Sequence, residues 1–137
     1  MTAKSIKIFK GKLIKNKKGN IIKFINKKDK FFEKFGEIYF SEIKKNKIKG
    51  WNFHKKNTCL ITVPFGKVKF IIFNPLNKKM QKFILSDKNN NIMKIPPNFW
   101  FSFSSLVKKS LIANILNNVH NQLEVKKESV INKIIIK

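Results

Sequence analysis

The chain contains no arginine. All 31 of its basic side chains are lysine, set against only 7 acidic ones, so the planar fork with which arginine grips guanine edges and phosphates is missing throughout. This absence weakens the partner that a net charge of +24 would otherwise put first. Lysines attract phosphates of any sequence, but a duplex reader without arginine lacks its commonest specific contact. Nucleic acid is therefore an unfavoured partner, and most lysines are expected on solvated faces. Cysteine is nearly missing as well: the lone Cys59 excludes an intrachain disulfide and points to a reducing, cytoplasmic setting. No apolar run approaches the ~20 residues of a membrane span. The lysine-studded stretch from Met1 to Lys10 has no apolar core of signal length, so neither secretion nor a membrane partner is expected.

What the chain has in quantity is apolar bulk. With 42% hydrophobic residues and 14 phenylalanines in 137 positions, it can fill a core despite its charge, and it is read as one domain over residues 1–137. The pattern is that of strands. Lys12-Leu13-Ile14 breaks at the polar turn Asn16-Lys17-Lys18-Gly19-Asn20 and resumes at Ile21 to Ile25, which predicts a hairpin. Glu37 to Ile43 predicts a further strand, and Leu60 to Val63 runs into a turn at Pro64-Phe65-Gly66. In Lys67-Val68-Lys69-Phe70 the lysines are expected to face water while Val68 and Phe70 face inward. Met80 to Leu85 is strand-like between two polar loops, Asn74 to Lys79 and Ser86 to Asn91. Short strands with turn residues at close intervals indicate an all-β sandwich or small barrel. From Leu106 to Val119 the apolar positions fit a helix face as well as a buried strand, and periodicity alone favours helix. The tail from Val125 to Lys137 is charge-rich, then apolar at Ile134-Ile135-Ile136. It is read as a short helix followed by an edge strand, or as a dimer contact.

Four segments recur in a telling order: Gly36-Glu37-Ile38-Tyr39-Phe40-Ser41, Lys49-Gly50-Trp51-Asn52-Phe53-His54, Val63-Pro64-Phe65-Gly66-Lys67-Val68, and Ile95-Pro96-Pro97-Asn98-Phe99-Trp100-Phe101-Ser102-Phe103. Together they resemble the cupin-type dTDP-4-dehydrorhamnose 3,5-epimerase family, whose members carry Arg-Gly-Leu/Trp-His and Ile-Pro-x-Gly-x-x-His-Gly-Phe at the second and fourth of these places. The resemblance spans residues 18 to 124. It implies a cupin-type small barrel or jelly roll with a possible short C-terminal helix, a strand over Leu111 to Leu116, a homodimer, and a nucleotide-linked 4-keto-6-deoxyhexose as ligand.

The family's chemistry removes a proton made acidic by a neighbouring carbonyl. It needs a base near neutral pKa, a donor for the enolate oxygen and an acid on the opposite ring face. The family supplies histidine, lysine and tyrosine, and this chain departs at each place. The base position is Asn52, which cannot accept a proton near pH 7. The lysine position falls on Cys59 and the second barrel histidine on Phe101; the tyrosine position falls near Val119 or His120, with Tyr39 elsewhere. Asn98 replaces the family's glycine and tolerates the same left-handed turn. His54, on the same strand face as Asn52, is the remaining candidate base, the alternative being a hydrogen-bonded residue at the barrel mouth. Lys18-Gly19 and Lys49-Gly50 stand where the family's Arg-Gly turns contact phosphates. The substrate-binding set implied is thus Lys18, Lys49, Asn52, Cys59 and Phe101. One nitrogen ligand is too few for a metal centre, and no metal or other cofactor is expected. Trp51, Phe53, Trp100 and Phe103 are read as packing residues. Two further readings stand beside an epimerase-like enzyme: a barrel that only binds a sugar nucleotide, and a basic nucleic-acid-binding protein.

Overall fold

The computed structural model describes residues 5–129. The alternating segments become twelve strands: β1 (Lys7–Lys10), β2 (Lys12–Ile14), β3 (Ile21–Lys23), β4 (Glu37–Lys44), β5 (Ile48–His54), β6 (Cys59–Phe65), β7 (Lys67–Asn74), β8 (Lys79–Ser86), β9 (Asn91–Ile95), β10 (Trp100–Ser105), β11 (Lys109–Leu116) and β12 (Val125–Lys127). One 3-10 turn, Gln122–Glu124, precedes β12. Two five-stranded sheets, ordered β1-β9-β6-β11-β4 and β12-β5-β10-β7-β8, carry all strands but the β2–β3 pair, which forms a small sheet of its own. The ladders within each sheet are antiparallel, giving the jelly-roll barrel that the sequence resemblance implied.

The core lies between the two sheets, where Ile61, Val63, Met93, Ile95, Ile112 and Leu116 of the first meet Val68, Phe70, Ile72, Leu85, Phe101 and Phe103 of the second. β7 shows how alternation builds it. Val68, Phe70 and Ile72 are buried inward, while Lys67 is exposed. Full burial of a side chain such as Phe70 contributes about 1.5–3 kcal/mol. The opposite face of the second sheet carries a separate aromatic cluster of Trp51, Phe53, Phe73 and Trp100, with the Phe53 and Trp100 rings 5.1 Å apart. Three of the four aromatics expected to pack are therefore here, and Phe103 is in the inner core.

Residues 109–116 settle as strand against their helical periodicity. β11 runs between β4 and β6 in the first sheet, and its last five residues are all buried. A strand covered on both faces loses polar alternation, so its apolar spacing can mimic a helix. The hairpin forms as predicted, though β3 ends at Lys23. The segment that follows lies along the first sheet: Phe31 stacks on Phe9 at 4.4 Å, and Lys94 donates to the Phe31 carbonyl and pairs with Glu33. Val125 opens a strand, not a helix, and Ile134 to Ile136 fall outside the described residues. Among the described residues no helix is long and apolar enough to cross a membrane.

Candidate functional site

The site is organised by an irregularity in β5. Across β10, Phe101 is opposite Asn52 but Ser102 is opposite Gly50, so Trp51 is an extra residue, a β-bulge. Strict alternation would place Lys49 on the outer face with Trp51. The bulge resets the parity, and Lys49, opposite the inward Phe103, shares the inner face with Asn52. Only glycine fits at position 50, because its φ is +117° and a Cβ there would lie 2.7 Å from the Phe101 carbonyl oxygen.

Lys49 and Asn52 line a small cavity of about 140 Å³ together with Tyr39 and Ser41 of β4, Ile61 of β6, Phe101 and Phe103 of β10, and Ile112 and Asn114 of β11. Its apolar floor belongs to the core, and its polar groups converge from both sheets. At the exposed side the Lys49 ammonium donates to the Ser41 hydroxyl at 2.9 Å. Deeper, the Asn114 carboxamide nitrogen donates to the Tyr39 hydroxyl at 2.8 Å. Tyr39 is 36% exposed as a whole, but desolvation of its phenol, with a contribution from nearby Cys59, pushes it up to about 12 despite the opposing Asn114 hydrogen bond. Tyr39 is therefore a neutral O–H donor at any physiological pH.

His54 lies two residues beyond Asn52 on the same face and is 6% exposed. It does not line the cavity itself. Its ring stacks on Phe101, which does, with centroids 6.0 Å apart. Its Nδ1 is 3.0 Å from Oε2 of Glu124, a carboxylate buried by the 3-10 turn before β12. The other carboxylate oxygen accepts the Asn57 amide at 2.8 Å and the Lys56 amide at 3.0 Å. Burial alone would raise the Glu124 carboxyl, but the Asn57 and Lys56 amides and the His54 ring outweigh it and hold it below its ordinary value. An ionised Glu124 can only accept, so a neutral His54 carries its proton on Nδ1 and keeps the Nε2 lone pair free. The same strand end is braced by the Pro96-Pro97-Asn98 loop: Asn98 takes up φ 76°, the left-handed turn expected of it, and donates its N–H to the His54 carbonyl.

The structure thus brings Lys49, Asn52 and Phe101 to one cavity and sets His54 against its Phe101 wall. Two expected residues are not there. Lys18 sits in the exposed β2–β3 turn. Cys59 is 1% exposed within the core and does not line the cavity, and burial pushes its thiol up to about 12. Tyr39, which the motif alignment placed elsewhere, is in the cavity, while Val119 and His120 are exposed. Sequence reasoning also missed Glu124 and Asn114. Tyr39 had a legible signal, since it shares strand parity with Ser41 and Ile43. Glu124 had a weaker one: it is one of only 7 acidic residues in a strongly basic chain. Among the described residues no three His, Cys, Asp or Glu side chains gather as a metal cage.

A ten-stranded antiparallel jelly roll with a polar cavity between its sheets is a cupin-type barrel. More particularly, it is similar to the barrels of solved dTDP-4-dehydrorhamnose 3,5-epimerases and related sugar isomerases. A dTDP sugar isomerase from Desulfovibrio desulfuricans superposes with a TM-score of 0.87 at 25% identity, over 90% of this chain and 83% of that one. A dTDP-4-dehydrorhamnose 3,5-epimerase from Bacillus anthracis, solved with TDP and pyrophosphate bound, matches with a TM-score of 0.80 at 21% identity, over 89% and 77% of the two chains. The 3,4-ketoisomerase QdtA from Thermoanaerobacterium thermosaccharolyticum, a histidine-to-asparagine mutant in complex with TDP-4-keto-6-deoxyglucose, matches with a TM-score of 0.82 at 18% identity, over 98% and 94%. No protein-family model and no curated protein matches the sequence.

Proposed function

We propose that the chain binds a dTDP-linked 4-keto-6-deoxyhexose and moves a proton on its sugar ring, with His54 as the base. The observation that carries this reading is the buried His54–Glu124 pair at the wall of a small polar cavity, in the barrel that dTDP-sugar epimerases and isomerases share. A base oriented through its far nitrogen by a carboxylate is the arrangement that proton abstraction requires. The cavity is below the ~300–1,000 Å³ of pockets that enclose a drug-sized ligand. It accepts a sugar ring, while the nucleotide stays at the mouth and its phosphates meet Lys49 as a point charge. His54 takes a proton from the carbon beside the carbonyl of a sugar bound against Phe101, the cavity residue on which its ring stacks. Tyr39 donates its O–H to the oxygen on which negative charge develops.

A second reading, binding without turnover, is favoured by Asn52, a carboxamide lining the cavity where the related family has its base. Incubation of dTDP-4-keto-6-deoxyglucose in deuterated water separates the two. Exchange at ring carbons that disappears in His54→Ala supports the enzyme, and no exchange with intact protein leaves the binding module. Exchange at both C3 and C5 marks a 3,5-epimerase, whereas loss of the C3 hydrogen with deuterium delivered to C4 and the carbonyl moved to C3 marks a ketoisomerase.

The working form is a homodimer in the cytoplasm. β2 and β3 expose Leu13, Ile14, Ile21 and Ile22, and a two-stranded hairpin with an unburied apolar face is marginal in water. A second copy covers it. A sedimentation mass of one chain at micromolar concentration rules the dimer out.

A further inference from the structure

Asn114 is 3% exposed and lines the cavity, yet its carboxamide oxygen has no hydrogen-bond partner. A buried acceptor left unpaired costs about 1–3 kcal/mol, so native proteins rarely keep one without a use. The amide is turned with its nitrogen toward Tyr39 on β4, to whose hydroxyl it donates. The oxygen is the end of the amide left without a partner. Tyr39, whose oxygen accepts from Asn114, keeps its own O–H to give. Tyr39 and Asn114 both line the cavity and are joined through the Asn114 nitrogen, so a donor and an acceptor stand side by side there.

We propose that Asn114 determines the specificity of this cavity, its unpaired oxygen accepting a ligand hydroxyl on the carbon next to a carbonyl that Tyr39 holds. The ligand class is accordingly an α-hydroxy ketone, and a keto sugar deoxygenated at that neighbouring carbon is discriminated against. This inference rests on the sugar-nucleotide reading above. It adds to that reading the requirement for the adjacent hydroxyl and the residue that enforces it. The discrimination arises because a deoxy ligand leaves the buried acceptor as orphaned as it is in the empty cavity, while still displacing any water that could serve it.

The test is titration calorimetry of the full chain with three probes: dTDP-4-keto-6-deoxyglucose, its 3-deoxy counterpart, and dTDP alone. The wild-type protein should bind the hydroxylated sugar at least about tenfold more tightly than the 3-deoxy sugar. Asn114→Leu, of similar volume, should bring that ratio to near one and leave dTDP affinity unchanged. Asn114→Asp, which keeps an acceptor, should retain the preference and covers the case in which the leucine variant does not fold. Equal affinities for the two sugars in the wild type, or an undiminished ratio in Asn114→Leu, overturn the role of Asn114 and leave the sugar-nucleotide reading intact. Absence of binding by all three probes overturns that reading, and this one with it.

Discussion

Replacing Glu124 by glutamine changes one oxygen for a nitrogen in a buried side chain and should separate what that residue does for stability from what it does for His54. The glutamine carbonyl can still accept the Asn57 and Lys56 amides, at 2.8 and 3.0 Å in the native arrangement. Its amide nitrogen faces Nδ1 of His54 as a donor, so the neutral ring must carry its proton on Nε2, and the lone pair that would take a substrate proton is gone. Charge-assisted hydrogen bonds are worth about 1.5–3 kcal/mol against 0.5–1.5 for neutral ones, so the variant should lose roughly 1–3 kcal/mol in total. At ~2 kcal/mol per molar in urea this lowers the unfolding midpoint by about 0.5–1.5 M. Loss of the correct tautomer, by contrast, should cut the rate of solvent deuterium exchange into the keto sugar by about 10²–10⁴-fold. The pH dependence has a fixed sign. Because the Glu124 carboxyl is held below its ordinary 4.5, the stability it contributes is present above that pH and is lost as pH falls through the lower folded value. Wild-type stability should therefore fall more steeply below pH 4.5 than that of Glu124→Gln, measured as urea midpoints across pH 3 to 6, roughly the window around a carboxyl titration. An exchange rate unaffected by Glu124→Gln would refute the assignment of His54 as an oriented base. Parallel acid profiles for the two proteins would refute the ionised, hydrogen-bonded state of Glu124.

Lys49→Ala should weaken dTDP-sugar binding by about tenfold or more, because a phosphate loses its point charge at the cavity mouth, whereas Asn52→Ala should change it by less than about threefold; calorimetry at two salt concentrations measures both. Cys59 should resist a thiol reagent such as Ellman's in native buffer at pH 8 and react within the dead time in denaturant, since burial pushes its thiol to about 12. Gly66→Ala should lower stability by about 2–4 kcal/mol in urea titration, because position 66 takes φ +94° and an added Cβ would lie 2.2 Å from the buried Ser110 hydroxyl. A loss within experimental error would mean that the β6–β7 turn can relax at no cost.

Strand alternation, the glycine and proline turns, and the order of the four motifs were enough to specify the antiparallel barrel, because the period of two is a local property of each strand. They also marked Lys49-Gly50 and Asn52-x-His54 as the segment where a site belongs. What they could not specify was which side chains meet there. Glu124 reaches His54 across 70 residues of sequence, and Asn114 reaches Tyr39 across 75; no local pattern encodes such pairings. Lys49 faces inward only because a bulge at Trp51 resets the alternation, and that extra residue becomes visible only when β5 is read against β10. For the same reason residues 109–116 read as helix in isolation and fold as strand: pairing between β4 and β6 and burial on both faces are properties of the assembled sheet and not of the segment. The sequence by itself determined the scaffold and the neighbourhood of the site, and tertiary packing decided its chemistry, since orientation, protonation and exclusion of water depend on groups brought together from distant strands.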